Sequence, residues 1–360
     1  MMQIRTFCVK SRNILVSLPA AIFILTSIRL FYGMGATDVA SAMSRTSTFS
    51  QYTERHLAFD ICGICNAQCY YCQTGFANRS KISCNKKKFI DVGLFERILR
   101  YLRNKGFIEA DTKIHLYNWG EPMLHPEFSK IIEIATKEHC WIALSTNAAV
   151  LPKLANTFDA SNIGFIKFSM CGFSQTSYDK IHRLDFECVK RNIETIVRTF
   201  RQHGFVGQFF IYFHVYQFNL HELQAAYDFA KTLNITCHPV FAVINDWEKL
   251  KHFLQGTLSR DYLNAVARDL FMGYSSQSFQ ATHTCPMAPN LTIDPNGRCI
   301  LCCLVNEDLG DVFEMTPEIW HRLHQQNETC RECMRLGIPR LEFNAMIVDM
   351  EQLARAFVLR

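Results

Sequence analysis

Three thiols fall within the eight residues Cys65-Asn66-Ala67-Gln68-Cys69-Tyr70-Tyr71-Cys72, directly after the strand-like run His56-Leu57-Ala58-Phe59-Asp60-Ile61. Thiolates are soft ligands suited to iron–sulfur clusters. A closed four-iron cubane takes four of them, so a tight loop offering three leaves one iron without a protein ligand. That iron can bind a substrate or cosubstrate, much as a catalytic zinc keeps an open position. Cys62 adds a second reading, in which the pairs Cys62/Cys65 and Cys69/Cys72 form a tetrahedral zinc knot. Zinc ribbons separate their pairs by many more than the three residues found here, and closed ferredoxin-type runs have other spacings. The open cluster is therefore the expectation, with Cys62 as a spare thiol.

From residue 51 the chain alternates strand-like and helix-like runs. The strands read as His56–Ile61, Lys113–Asn118, Trp141–Ser145, Phe165–Ser169, Phe209–Tyr216 and a sixth near Cys237–Val243. Helical patterns occupy Asp91–Leu102, Phe128–Glu138, Cys188–His203 and Leu220–Leu233, and a short helix is expected after the third strand. This order predicts an α/β fold of parallel strands, with functional groups at their C-terminal ends. Nothing repeats at solenoid period, and no low-complexity tract occurs.

A second cysteine pattern begins at Cys285, followed by eleven residues, Gly297, four residues and Cys302, then Cys303 and Cys330-Arg331-Glu332-Cys333. Leu291-Thr292-Ile293-Asp294-Pro295-Asn296-Gly297 reads as a strand entering a tight turn, with a return strand delivering Cys302. Two cysteines on a hairpin and two on a Cys-x2-Cys turn make a closed, four-ligand site. Four thiolates suit either an iron–sulfur cluster or a structural zinc.

The first loop resembles the signature of the radical S-adenosylmethionine (SAM) superfamily, including an aromatic residue, Tyr71, just before the third cysteine. The resemblance implies a [4Fe-4S] cluster on Cys65, Cys69 and Cys72, whose open iron is chelated by the amino and carboxylate groups of SAM. It implies cleavage of SAM to a 5′-deoxyadenosyl radical, driven by a reductant such as a flavodoxin or ferredoxin. The six strand–helix units resemble that family's partial (β/α)6 TIM-like barrel over about residues 54–260. Asn118-Trp119-Gly120-Glu121-Pro122 resembles the family's Gly-Gly-Glu-Pro element, which implies that Gly120, Glu121 and Pro122 meet the SAM amino group; Trp119 replaces the first glycine. Ser145-Thr146-Asn147 resembles a Thr-Asn-Gly stretch and implies Asn147 at the active-site rim. Ser169-Met170-Cys171-Gly172 stands where relatives carry Ser-x-Asp-Gly, implying Ser169 near the SAM ribose or carboxylate. Cys171, in place of the aspartate, is a candidate hydrogen-atom or proton donor, or else a packed thiol. Asn219 sits where relatives place a polar residue close to SAM, and a plain helix N-cap explains it equally.

The second cysteine set resembles the SPASM/twitch extension of the same family, down to Leu309-Gly310-Asp311-Val312 and the Pro317-Glu318-Ile319-Trp320 helix. No cysteine follows Cys333, so the match is to the shorter form. It implies one auxiliary [4Fe-4S] cluster on Cys285, Cys302, Cys330 and Cys333, with Cys303 as the alternative to Cys302 and zinc as the alternative metal.

Composition supports a reducing compartment. Sixteen cysteines are many for a chain without a small disulfide-dense scaffold, and ten of them gather in residues 62–72 and 285–333. The net charge of +5 is mild, and Lys86-Lys87-Lys88 is the only basic cluster, so no nucleic-acid partner is expected. The N-terminus dissents. Arg5, Lys10 and Arg12 precede an apolar run from Ile14 to Ile28, with Ala40-Ser41-Ala42 beyond, in the manner of a secretory signal. The run is short for a membrane span and contains Pro19. An exported enzyme would lose its reductant, so the expectation is a cytoplasmic protein. Residues 1–50 are then an incidental extension, with Met43 as an alternative start, or a membrane association.

The expected organisation is residues 1–50 as an extension, 51–260 as the barrel, 261–345 as the auxiliary domain and 346–360 as a tail. The expected substrate is a small, carbohydrate-like molecule, with a peptide or protein as the alternative. From a different class, the chain would be a non-catalytic iron–sulfur or zinc protein. Gly120-Glu121-Pro122 at a strand end argues against that, since an electron carrier needs no SAM site.

Overall fold

The computed structural model describes residues 56–82, 87–109, 112–271, 281–282 and 285–339. Residues 1–50, the tail 346–360 and Lys86 lie outside the described residues, and with them the signal-like run. No helix among the described residues is long and apolar enough to cross a membrane.

Six parallel strands follow one another in space as in sequence: β1 (His56–Phe59), β2 (Lys113–His115), β3 (Trp141–Thr146), β4 (Ile163–Met170), β5 (Gln208–Val215) and β6 (Thr236–Phe241). The helices α1 (Gln73–Arg79), α2 (Val92–Asn104), α3 (Phe128–Lys137), α4 (Gln175–Lys180), α5 (Phe186–Gln202), α6 (Leu223–Thr232), α7 (Trp247–Gln255) and α8 (Arg260–Asp269) come between and after them. Alternation along each strand makes two faces. On β4, Ile166, Phe168 and Met170 are 0% exposed beneath the helices, whereas Lys167 and Ser169 on the other face keep partial exposure. Burying each large apolar side chain contributes roughly 1.5–3 kcal/mol, so the helix-covered face holds the sheet. Phe165, Phe210 and Ala143 form a small apolar cluster on the concave face, with Tyr117 and Tyr212 packed against it.

The expected helix between β3 and β4 is absent. The chain instead crosses as an irregular stretch containing Pro152, pinned by Ser129, whose Oγ donates to Lys153 O at 3.1 Å and accepts from Ala155 N at 2.9 Å. Proline removes a donor from a helix interior, and the run is too short to recover that loss.

Beyond α8 the hairpin of β7 (Leu291–Ile293) and β8 (Arg298–Ile300) joins the same sheet, because β7 pairs parallel to β1 with Leu57 opposite Leu291. Its turn needs Gly297, whose φ is +81°, in the left-handed region that costs glycine least. β9 (Asp308–Asp311) adds the last strand, followed by α9 (Pro317–Gln326) and α10 (Glu328–Arg335). The sheet runs β6-β5-β4-β3-β2-β1-β7-β8-β9 and does not close on itself, the open form of a (β/α)6 barrel.

Candidate active site

The cysteine loop leaves the C-terminal end of β1 and is clamped from several sides. Asn78 on α1 donates to Cys65 O at 2.8 Å and Ala67 O at 2.7 Å, and Gln68 N donates to His182 O at 2.9 Å. Gly75 presses against the loop so closely that a Cβ there would stand 2.3 Å from Cys69 N. Asn245, after β6, receives Gln73 N and donates to Tyr71 O. The loop's shape is thus fixed by the chain.

Cys65, Cys69 and Cys72 are partly exposed and lie within electrostatic reach of one another. Burial pushes all three thiols up, Cys65 to about 12. A free thiol there stays protonated and inert, whereas a bound metal would take the proton's place. Cys62 turns away; its Sγ lies 3.7 Å from Pro122 O, and it is buried. Among the described residues no three Cys, His, Asp or Glu side chains converge on a single metal ion. In a cubane each thiolate binds its own iron, so three soft thiols within electrostatic reach of one another fit that cluster.

The turn after β2 packs on this loop. Gly120 N donates to Asp60 Oδ1 at 3.0 Å, and a Cβ on Gly120 would fall 1.6 Å from Cys62 O. Only glycine permits that approach. Glu121 N donates to Ile64 O, and its buried carboxylate accepts from Met123 N at 3.1 Å, Thr146 Oγ1 at 2.7 Å and Asn147 N at 2.8 Å. Burial lifts this carboxyl to about 7 against the pull of those hydrogen bonds. Both oxygens therefore already serve the chain, joining the ends of β2 and β3. Pro122 opens a short 3-10 turn.

Asn147 faces the cysteine loop, its Nδ2 lying 3.6 Å from Cys65 Sγ and 2.8 Å from Asn66 Oδ1. Ser169 Oγ is 3.3 Å from Ser145 Oγ on the concave face. Cys171 lies off that face, fully buried, with Sγ 3.7 Å from Ser177 O, and burial raises its thiol well above the ordinary range. Asn219 is 0% exposed and turned inward: Nδ2 donates to Cys171 O and His214 O, and Oδ1 accepts from Tyr216 N. It makes no capping bond to the turn that follows it, so the plain N-cap does not describe its side chain.

Tyr71 also points into the protein. Its Oη donates to Asp269 Oδ2 at 3.0 Å and approaches Ala265 O at 3.1 Å, and its ring lies beside Tyr70, Tyr216 and Tyr262. Asp269 in turn binds Lys180 at 2.8 Å and Arg268 at 2.9 Å. Asp269, Lys180 and Glu222, which gathers Ser174, Ser177 and Phe173 N, escape the sequence reading. No local motif marks them.

In the second set Cys285 and Cys330 influence each other electrostatically, and burial first, then Cys285, raises Cys330 to about 11. Cys302 follows β8, and Cys333 lies three residues after Cys330 on α10. Cys302 and Cys303 are both partly exposed. His324 Nδ1 lies 3.6 Å from Cys330 Sγ.

A family model described as the radical SAM superfamily matches residues 60–230. The fold is similar to that of native anSMEcpe with bound AdoMet, at TM-score 0.51 and 18% identity over 79% of this chain and 84% of that one. It is similar also to Streptococcus suis SuiB bound to precursor peptide SuiA, at TM-score 0.51 and 13% identity over 82% of this chain and 71% of that one. A third likeness is to native anSMEcpe with bound AdoMet and Kp18Cys peptide, at TM-score 0.51 and 17% identity over 79% and 83%. At these identities the likeness is one of fold. Comparison with curated protein sequences gives no match.

Proposed function

We propose, from the match of the radical SAM superfamily model to residues 60–230, that this chain is a radical SAM enzyme that abstracts a hydrogen atom from a carbon of a small, carbohydrate-like substrate. The carrying observation is the loop itself: three thiols lie within electrostatic reach of one another at a strand's C-terminal end, while Cys62 faces Pro122 O. Cys65, Cys69 and Cys72 would hold a [4Fe-4S] cluster, and the chemistry it would supply is one-electron reduction of SAM, with a flavodoxin or ferredoxin as reductant, to methionine and a 5′-deoxyadenosyl radical able to take the substrate's hydrogen.

Each protein group then has a limited task. Cys65, Cys69 and Cys72 would hold the metal, and Asn147 donates toward the Cys65 sulfur. Gly120 and Pro122 shape the turn beside it, with Glu121 fastening that turn to β3. Ser169 and Ser145 present hydroxyls to the concave face where SAM and substrate would meet. Cys285, Cys302, Cys330 and Cys333 would hold an auxiliary cluster that either accepts a second electron or braces the C-terminal elements. A reducing, cytoplasmic setting suits both sets of thiols.

One observation favours a second reading. Structures of similar fold carry bound peptides, which supports a peptide or protein substrate. Changing Cys65, Cys69 and Cys72 together to Ala is expected to abolish 5′-deoxyadenosine formation under dithionite. Persistence of that product would exclude the assignment, and profiling small molecules and peptides for a mass change separates the two substrates.

A further inference from the structure

The face that α9 turns toward the second cysteine set carries two buried side chains one turn apart. Trp320, 3% exposed, donates from Nε1 to Ala288 O at 3.1 Å, and Ala288 N donates to Cys285 O at 3.2 Å. The helix is thereby fastened to the Cys285 turn. His324, four residues on and so on the same face, is 7% exposed, with its ring 4.5 Å from that of Trp320. Its Nδ1 stands 3.6 Å from Cys330 Sγ on α10. Cys330 is held there by its own neighbours. Its N donates to Asn327 Oδ1 at 2.9 Å, and Glu307 accepts from Asn327 Nδ2 at 2.7 Å and Thr329 Oγ1 at 3.1 Å.

The two ring nitrogens of His324 are not equivalent. Nε2 is buried and makes no hydrogen bond; Leu301 O, in the residue before Cys302, faces the ring without closing one to Nε2. A buried N–H without an acceptor is a costly defect, so Nε2 is a poor place for the proton of a neutral imidazole. A free Cys330 thiol can donate to Nδ1, but a bound metal displaces the thiol proton and leaves the sulfur able only to accept. The imidazole proton then belongs on Nδ1, facing the sulfur. In a cubane each thiolate binds its own iron, so a nitrogen this near one sulfur is placed to bond that sulfur.

We propose that His324 donates a hydrogen bond from Nδ1 to the metal-bound sulfur of Cys330 and so raises the reduction potential of the auxiliary cluster. The proposal rests on the reading of Cys285, Cys302, Cys330 and Cys333 as ligands of that cluster. His324 is then a positioning residue, since it touches a ligand and not the iron. A donor to a thiolate draws charge off the sulfur and stabilises the reduced, more negative cluster, which is how hydrogen bonds to sulfur set such potentials.

The test uses the full-length chain with Cys65, Cys69 and Cys72 changed to Ala, reconstituted anaerobically with iron and sulfide, so that only the second set can carry a cluster. Its midpoint potential is followed by electron paramagnetic resonance during a redox titration. His324→Leu is expected to lower the ratio of reduced to oxidised cluster at a fixed potential about tenfold, which is about 59 mV for one electron. His324→Asn, whose amide can donate from near the place of Nδ1, should recover most of that shift. Circular dichroism and iron content of both variants separate a changed potential from lost folding. In the chain that keeps His324, isotope-labelled histidine should give only weak nitrogen coupling to the cluster. Three results would overturn the proposal: an unchanged midpoint in His324→Leu, equal shifts in His324→Leu and His324→Asn, or nitrogen coupling strong enough for direct ligation. Zinc, or no metal, in the chain that keeps His324 would overturn the auxiliary-cluster reading and the proposal with it, so metal analysis tells the two failures apart.

Discussion

Tyr71 Oη donates to Asp269 Oδ2 across 3.0 Å, tying the residue beside the third cysteine to the last residue of α8. Asp269 lies outside residues 60–230, so the cysteine loop is braced by a segment beyond the matched domain. Burial alone would raise the Asp269 carboxyl, but Arg268, Lys180 and Tyr71 outweigh it and hold it below the ordinary carboxylate range. A depressed carboxyl contributes stability that is complete above its unfolded value and lost as pH falls through the folded one. Asp269→Ala leaves the buried Tyr71 hydroxyl without its partner, while Lys180 and Arg268 keep access to water, so it should cost about 1–3 kcal/mol and lower iron retention at Cys65, Cys69 and Cys72. Tyr71→Phe removes one hydrogen bond and should cost about 1 kcal/mol. Iron content and urea unfolding of both variants check this; equal, small effects would mean that the tie is incidental.

Glu121 gives a pH signature of opposite sign. Its carboxyl is raised from 4.5 to about 7, so folding favours its protonated form. That contribution is complete below about pH 4.5 and is lost as pH rises through about 7. Melting temperatures of the apoprotein between those limits should therefore fall more steeply for the wild type than for Glu121→Gln. Parallel profiles would show that the carboxyl is not perturbed.

Gly120→Ala tests the close packing of the β2 turn on the cysteine loop. The added Cβ would fall 1.6 Å from Cys62 O, so backbone must move. Overpacking of this kind costs typically 1–3 kcal/mol, and the displaced loop should lose iron as well. Gly106 is the control, because nothing lies within 4 Å of a Cβ there, although its φ of +76° adds some strain of its own. Wild-type iron content in Gly120→Ala would contradict the packing argument.

The strand–helix alternation was legible because each strand carries its own apolar pattern and each helix its own period. Other features had no local signal. The parallel pairing of β7 with β1 joins Leu57 to Leu291, and no short window encodes such a distant partner. The helix expected after β3 failed at Pro152, where a weak pattern met a helix breaker. At the site, the cysteine spacing and the strand-end places of Gly120 and Asn147 could be read from sequence. The directions of Tyr71 and Asn219 could not, since Asp269 and Cys171 O decide them from elsewhere in the chain.

Metal content distinguishes the two cysteine sets. Two four-iron clusters require about eight irons per chain, and Cys330→Ala with Cys333→Ala should bring the count to about four. Four irons with one zinc in the wild type would assign the second set to a structural zinc instead.

The most direct test of the open iron corner is electron–nuclear resonance on the dithionite-reduced protein with isotope-labelled SAM, in the variant lacking Cys330 and Cys333. Binding of SAM through its amino and carboxylate groups should produce hyperfine coupling from those labelled atoms to the Cys65/Cys69/Cys72 cluster. A cluster spectrum unchanged by saturating SAM, with no such coupling, would contradict a vacant iron on this loop.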